Sequence, residues 1–151
     1  MGATRNPFEP KGTRVVHRSA VPADFELSNV SITPPSSSIG DAIDTTTLAN
    51  STHKTKMAPN LIESGELSFT AEYDPELVAN APYGVWGTIY IYIPDQGLGT
   101  FKGHLENIEP NELTVGERAM CSGKYVITNT DEDRTTEVPP VWDDSATDIP
   151  A

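Results

Sequence analysis

Leu67, Phe69, Ala71 and Tyr73 alternate with Glu66, Ser68, Thr70 and Glu72. A period of two is that of a pleated strand, so this stretch predicts a strand with one packed face and one wet face. It stops at Asp74-Pro75. Asp74 can cap free amide donors, Pro75 suits the first helical position and Asn80 can close the end, which predicts a short helix over 74–80. Residues 25–33 alternate more loosely, with Phe25 and Leu27, then Val30 and Ile32, until Pro34-Pro35-Ser36-Ser37-Ser38 ends the pattern. Residues 41–47 are a candidate start of a further strand. Over 86–93, Ile89, Ile91 and Ile93 are apolar while Thr88, Tyr90 and Tyr92 are amphipathic, so both faces are expected to be partly buried. Pro94-Asp95-Gln96-Gly97 predicts a turn, and 98–108 its returning partner. Glu109-Pro110-Asn111-Glu112 predicts a second turn, with one long or two short strands over 113–128. One short helix among six or seven strands predicts a mainly β fold, a β-sandwich or squashed barrel.

Polar and proline-rich stretches divide the 151 residues. Residues 1–23 carry Arg5, Lys11, Arg14 and Arg18 against Glu9, with Pro7, Pro10, Gly12 and Pro22, and read as an extended N-terminal arm. Residues 131–151 carry seven acids against Arg134, with Pro139, Pro140 and Pro150, and read as an acidic C-terminal arm. Such composition does not bury enough surface to fold alone. The opposite charges of the two arms suggest that they meet, within or between subunits. A single β domain is expected over 24–130. Within it, residues 49–64 form a loop longer than compact domains tolerate without a purpose.

The net charge is −12. Duplex DNA binders show a basic face, and this chain shows none, which argues against DNA wrapping and against adhesion to an anionic membrane. No apolar run approaches the ~18 residues of a membrane span, and residues 1–18 hold no hydrophobic stretch of the kind a secretory signal needs. The expectation is a soluble protein. Cys121 is the only cysteine and reads as a small apolar residue inside a strand. His17, His53 and His104 lie far apart in sequence and read as surface or loop residues rather than ligands. Gly97-Leu98-Gly99-Thr100-Phe101-Lys102-Gly103 misses the dinucleotide spacing and sits in a hairpin. Asp131-Glu132-Asp133 lacks the glycine and distal Glu of a calcium loop, and there is no nucleophile elbow. The residues therefore predict no catalytic group, no metal and no cofactor.

Three stretches, in order, resemble the tail tube (major tail) proteins of long-tailed bacteriophages: Ile43-Asp44-Thr45-Thr46 before the long polar loop; Leu61-Ile62-Glu63-Ser64-Gly65-Glu66-Leu67-Ser68-Phe69, leading to Asp74-Pro75; and Phe101 to Pro110, followed by the Gly-rich return from Val115 to Lys124. The resemblance implies a β-sandwich flanked by a helix, with subunits in hexameric rings that stack into a tube. It implies as partners the tail initiator (distal tail) complex, the tail terminator and the tape-measure protein, with genomic DNA passing through unbound. It places the protein in the virion tail, assembled in the host cytoplasm. On this reading Asp44, Thr45, Lys54, Lys56, Leu61 and Ile62 are inter-ring contact candidates, with Leu61 and Ile62 anchoring the base of the loop. Glu66, Ser68, Thr70 and Glu72 are candidates for the lumen, where acids repel phosphates. Two rival readings stand beside it. Tyr83, Trp86, Tyr90 and Tyr92 could form the aromatic platform of an adhesion, carbohydrate-binding or decoration module. The tube of a bacterial injection system would share the architecture.

Overall fold

The structure is a computed structural model and describes residues 11–19 and 24–150. Its strands are β1 (Arg14–Arg18), β2 (Asn29–Thr33), β3 (Ser37–Ser38), β4 (Ile43–Asp44), β5 (Lys56–Met57), β6 (Glu63–Ser64), β7 (Glu66–Glu72), β8 (Gly87–Ile93), β9 (Gly97–Pro110), β10 (Met120–Ile127) and β11 (Val141–Asp143), with one helix, α1 (Pro75–Ala79). The main sheet runs β1-β8-β9-β10-β7-β2, all antiparallel, and β11 adds to the edge of β9 that β10 leaves bare.

The sheet curls until its two ends touch. His17 N–H donates to the Phe25 carbonyl at 3.0 Å, and Phe25 N–H donates back to His17 at 2.9 Å. This single bridge joins β1 to the segment that feeds β2. Two bidentate ion pairs flank it, Arg14 on Glu26 and Arg18 on Asp24. Beyond the bridge β1 and β2 separate. The result is a mainly β, squashed half-barrel, as the strand pattern predicts.

The core fills the inside of this curl. Leu67, Phe69 and Ala71 of β7 point inward, against Ile89 and Ile91 of β8, Leu105 and Ile108 of β9, and Cys121, Tyr125 and Ile127 of β10. Cys121 is a buried strand residue, as its apolar context predicts, and burial pushes its thiol pKa up. Between Leu105 and Ile108 the alternation slips. The β9–β10 register shifts there, passing over Glu106, so a bulge turns Glu106 and Asn107 outward without turning Ile108 out of the core. A second shift between Asn29 and Ser31 ejects Val30, which is 52% exposed although its neighbours' pattern placed it with Ile32. Helix α1 forms as predicted: Asp74 accepts from Glu76 and Leu77 N–H at 3.1 and 3.3 Å, and Asn80 closes the end.

Four segments differ from the sequence expectations. Arg14–Arg18, inside the presumed N-terminal arm, is a sheet strand with Val15, Val16 and His17 buried; the prolines and glycine around it hid a short apolar run. His17 is therefore not a surface histidine. Val141–Asp143, inside the acidic arm, pairs with β9, and the Trp142 ring lies over Gly99. Residues 113–119 are an exposed loop rather than strand; Gly116 takes φ 89°, and Leu113 and Val115 point to solvent. The loop over 49–64 is one limb of an ordered ribbon. Arg14 also reaches Asp148 at 3.6 Å, so the basic and acidic ends do meet within one chain.

Candidate assembly surface

The 34–65 segment leaves the barrel as a two-stranded antiparallel ribbon. Thr33 opposes Ser68 in the barrel, Ser37 and Ser38 oppose Ser64 and Glu63, and Ile43 and Asp44 oppose Met57 and Lys56. The pairing is thus the β2–β7 hairpin continued outward, with its register slipping by one residue. The ladder lapses over 39–42, where Gly40 takes φ 79° and the facing limb carries Pro59, which has no N–H to give. At about 3.3 Å per residue, the limb from Pro34 to Thr47 reaches at most about 45 Å.

Polar side chains build the ribbon's tip. Thr45 N–H donates to Thr55 carbonyl, Thr55 N–H to Thr46 Oγ1, Thr46 N–H to Asp44 Oδ1 and Thr47 N–H to Asn50 Oδ1, all between 2.8 and 3.0 Å. Asn50 Nδ2 reaches the His53 carbonyl at 2.9 Å. These bonds satisfy a turn that no core supports, which is the physical use of the Thr/Asn/Ser run. The hydrogen bond from Thr46 helps lower the pKa of Asp44.

The body of the ribbon is apolar where it should be wet. Ile43 and Met57 are cross-strand partners, and Ile39 and Leu61 lie nearer the root, where the ladder lapses. All four are exposed, Leu61 to 83%, and Ile62 beside it to 67%. Leu61 and Ile62 therefore do not anchor the loop's base; nothing in the described chain covers them. Of the candidates read from sequence, the ribbon gathers Asp44, Thr45, Lys54 and Lys56 near its tip and Leu61 and Ile62 lower down. Sequence reasoning missed Ile39, Ile43 and Met57 as candidates. Their signal was Ile-x-x-x-Ile on one limb and Met-x-x-x-Leu on the other.

Glu66, Ser68, Thr70 and Glu72 lie together on the outer face of β7, beside Ser31 and Thr33 of β2 and Ser122 and Lys124 of β10. A shallow basin of about 360 Å³ runs across this face. Its acids are partnered. Glu66 lies 3.4 Å and Glu106 3.5 Å from Lys124 Nζ, and Glu72 takes a 2.9 Å bond from Arg118. Glu66, then Glu106, raise the Lys124 pKa and hold its charge.

The separation of β1 from β2 opens a trench with two basins that share Gly12, Thr13 and Asn29. One, about 640 Å³, has an apolar lining of Val30, Ile32, Ile91 and Ile93. The other, about 750 Å³, lies toward α1 between Glu26, Glu72, Asp74 and Leu77.

The aromatic residues are engaged one by one. Trp86 Nε1 donates to the Thr130 carbonyl at 2.9 Å and carries Lys102 over its ring; Tyr90 lies under Arg18; Tyr92 and Tyr83 hydroxyls bond the carbonyls of Thr147 and Val78. Among the described residues, no group of three His, Cys, Asp or Glu side chains is placed to hold a metal, and no helix is long and apolar enough to cross a membrane.

No protein-family model and no curated protein sequence matches this chain. Among solved structures it is similar to a chain of the anti-feeding prophage (AFP) baseplate, a 6-fold symmetrised cryo-EM structure, with a TM-score of 0.63 and 10% identity over 82% of this chain and 93% of that one. At that identity the likeness is one of fold.

Proposed function

We propose that this chain is a structural subunit of a phage-tail-like particle, polymerising as stacked, six-membered rings into a hollow tube. The ribbon carries the reading. A soluble monomer gains nothing by holding Ile39, Ile43, Met57 and Leu61 on an ordered stalk in water, whereas a subunit that buries them against its neighbours does. Head-to-tail contacts of this kind do not close on themselves and generate filaments. The fold shared with a component of a 6-fold baseplate supports the ring order. Lys54, Lys56, Asp44 and Thr45 at the tip serve the contact between rings. The polar face of β7, with Glu66, Ser68, Thr70 and Glu72, lines the bore; its carboxylates hold Lys124 and Arg118 in ion pairs, so a passing polyanion meets few free cations. The test is negative-stain microscopy of the full chain over a concentration series, alone and seeded with tail-initiator complex. Hollow tubes with a regular axial repeat are expected. Isolated globules at every concentration, seeded or not, overturn the reading.

The baseplate likeness favours one variant of this proposal, a tube or ring of an injection particle that packages no genome. Nuclease-protected DNA inside purified particles decides between them: its presence indicates a phage tail, its absence an injection particle.

A further inference from the structure

The stalk and the trench are complementary, and no contact within the described chain uses both. We propose that the ribbon of one copy lies in the β1–β2 trench of a second copy, with its tip toward the β8–β9 turn, so that both ribbons point the same way. This names the partner surface for the assembly proposed above and rests on that reading.

Three observations converge. The first is backbone. β2 is an edge strand among the described residues, and each limb of the ribbon has an outer edge without a ladder partner. Unpaired edges recruit strands, and an extended segment beside β2 would gain main-chain bonds there.

The second is apolar fit. The trench floor of Ile32, Ile91 and Ile93, with Val30 on its rim, opens directly onto the core, because β1 and β2 do not meet there. The ribbon brings the exposed cross-strand pair Ile43 and Met57, with Ile39 and Leu61 exposed nearer its root. With the tip toward the β8–β9 turn, the root residues Ile39 and Leu61 fall toward the α1 end, where Leu77 is exposed.

The third is charge. Lys54 and Lys56 have no ion-pair partner among the described residues, in a chain of net charge −12. The turn end of the trench holds acids around Lys11. Asp95 sits in the β8–β9 turn, whose Pro94 touches Gly12; the Asp143 backbone lies against Gly97; and Asp148 reaches Arg14. The lysines stand within three residues of Ile43 or Met57 along or across the ribbon, so seating the apolar pair on Ile91 and Ile93 carries them to this end. The reverse seating would carry the lysines to the α1 end, toward Glu26, Glu72 and Asp74, but it would oppose the two ribbons, and opposed ribbons make closed pairs rather than stacks.

Disulfide trapping in the full chain tests this. The V30C/I43C double variant, with the buried Cys121 left in place, is oxidised under assembling conditions and run without reductant. A ladder of cross-linked oligomers is expected, absent from V30C and I43C alone. Adding K54E/K56E is expected to weaken the ladder about tenfold, and D95K in the same chain to restore part of it. Tubes with no ladder overturn the trench seating and leave the tube reading intact. A ladder without tubes keeps the seating and overturns the tube. A V30C dimer indicates edge-to-edge β2 pairing, and a fast-migrating cross-linked monomer indicates a ribbon folded onto its own trench; either overturns the proposal.

Discussion

His17 and Gly87 share one crowded point in the wall of the barrel. The imidazole is fully buried, stacks on Tyr125 at 5.7 Å, and makes no well-formed hydrogen bond at either nitrogen, although the Val85 carbonyl faces it. Gly87 leaves the room for it: a Cβ there would stand 2.6 Å from the Arg18 carbonyl oxygen and 2.8 Å from His17 Nε2. Gly87→Ala is expected to cost about 1–3 kcal/mol in urea unfolding; an unchanged midpoint would show that β1 yields freely. Burial lowers the His17 pKa, with the nearby His104 adding to the effect. The folded protein then holds a neutral ring while the unfolded chain binds a proton below about pH 6.5. Stability from this group is whole above that pH and is lost as pH falls through it toward the lower folded value. Between about pH 7 and about pH 5, His17→Phe should therefore flatten the decline of unfolding free energy relative to the parent; equal slopes would remove His17 as the titrating group.

Among elements, the ribbon is separable from the barrel. None of its residues belongs to the core, and its short sheets pair only within themselves. Two strands alone are marginal in water, so β2 and β7 must brace the stalk at its root while the side-chain bonds of the tip hold the far end. Replacing residues 39–62 with Asn-Gly, which closes the β3–β6 pair with a tight hairpin turn, should leave the melting temperature within a few degrees and abolish assembly. A large loss of melting temperature would mean that the ribbon supports the fold; tubes formed without it would remove it from the contact. The alternation over 66–73 and the Asp-Pro helix start were legible in sequence because each is set by neighbours in the chain. The pattern over 41–47 hints at a strand, but the returning limb over 49–64 reads as a loop because its ladder is only intermittently apolar and its pairing partner lies across a polar turn.

For the whole molecule, charge governs what the outer sheet face can touch. Glu66 and Glu72 occupy Lys124 and Arg118. Glu66→Lys with Glu72→Lys would free Arg118, leave Lys124 with Glu106 alone, and add two cations. At about 0.15 M salt the parent should retain no duplex DNA and the double variant should gain binding, read by fluorescence anisotropy. A variant that gains none would show that the face is not accessible to a duplex. The ion pairs themselves were not visible in sequence: Lys124 and Arg118 come from β10 and the loop before it, and only the β7–β10 register sets them beside the acids.

The order of residues determined by itself whatever depends on near neighbours: which face of β7 is wet, where α1 begins and ends, where the β8–β9 hairpin turns, and that Cys121 is packed. The tertiary structure decided what depends on closure. Curling the sheet brought β1 to Phe25, buried His17, tied Arg14 to both Glu26 and Asp148, and left a trench where β1 and β2 part. No local period encodes that meeting, because it is set by sheet twist and by two bulges that rotate Val30 and Glu106 outward, and their effect accumulates over strands far apart in the chain.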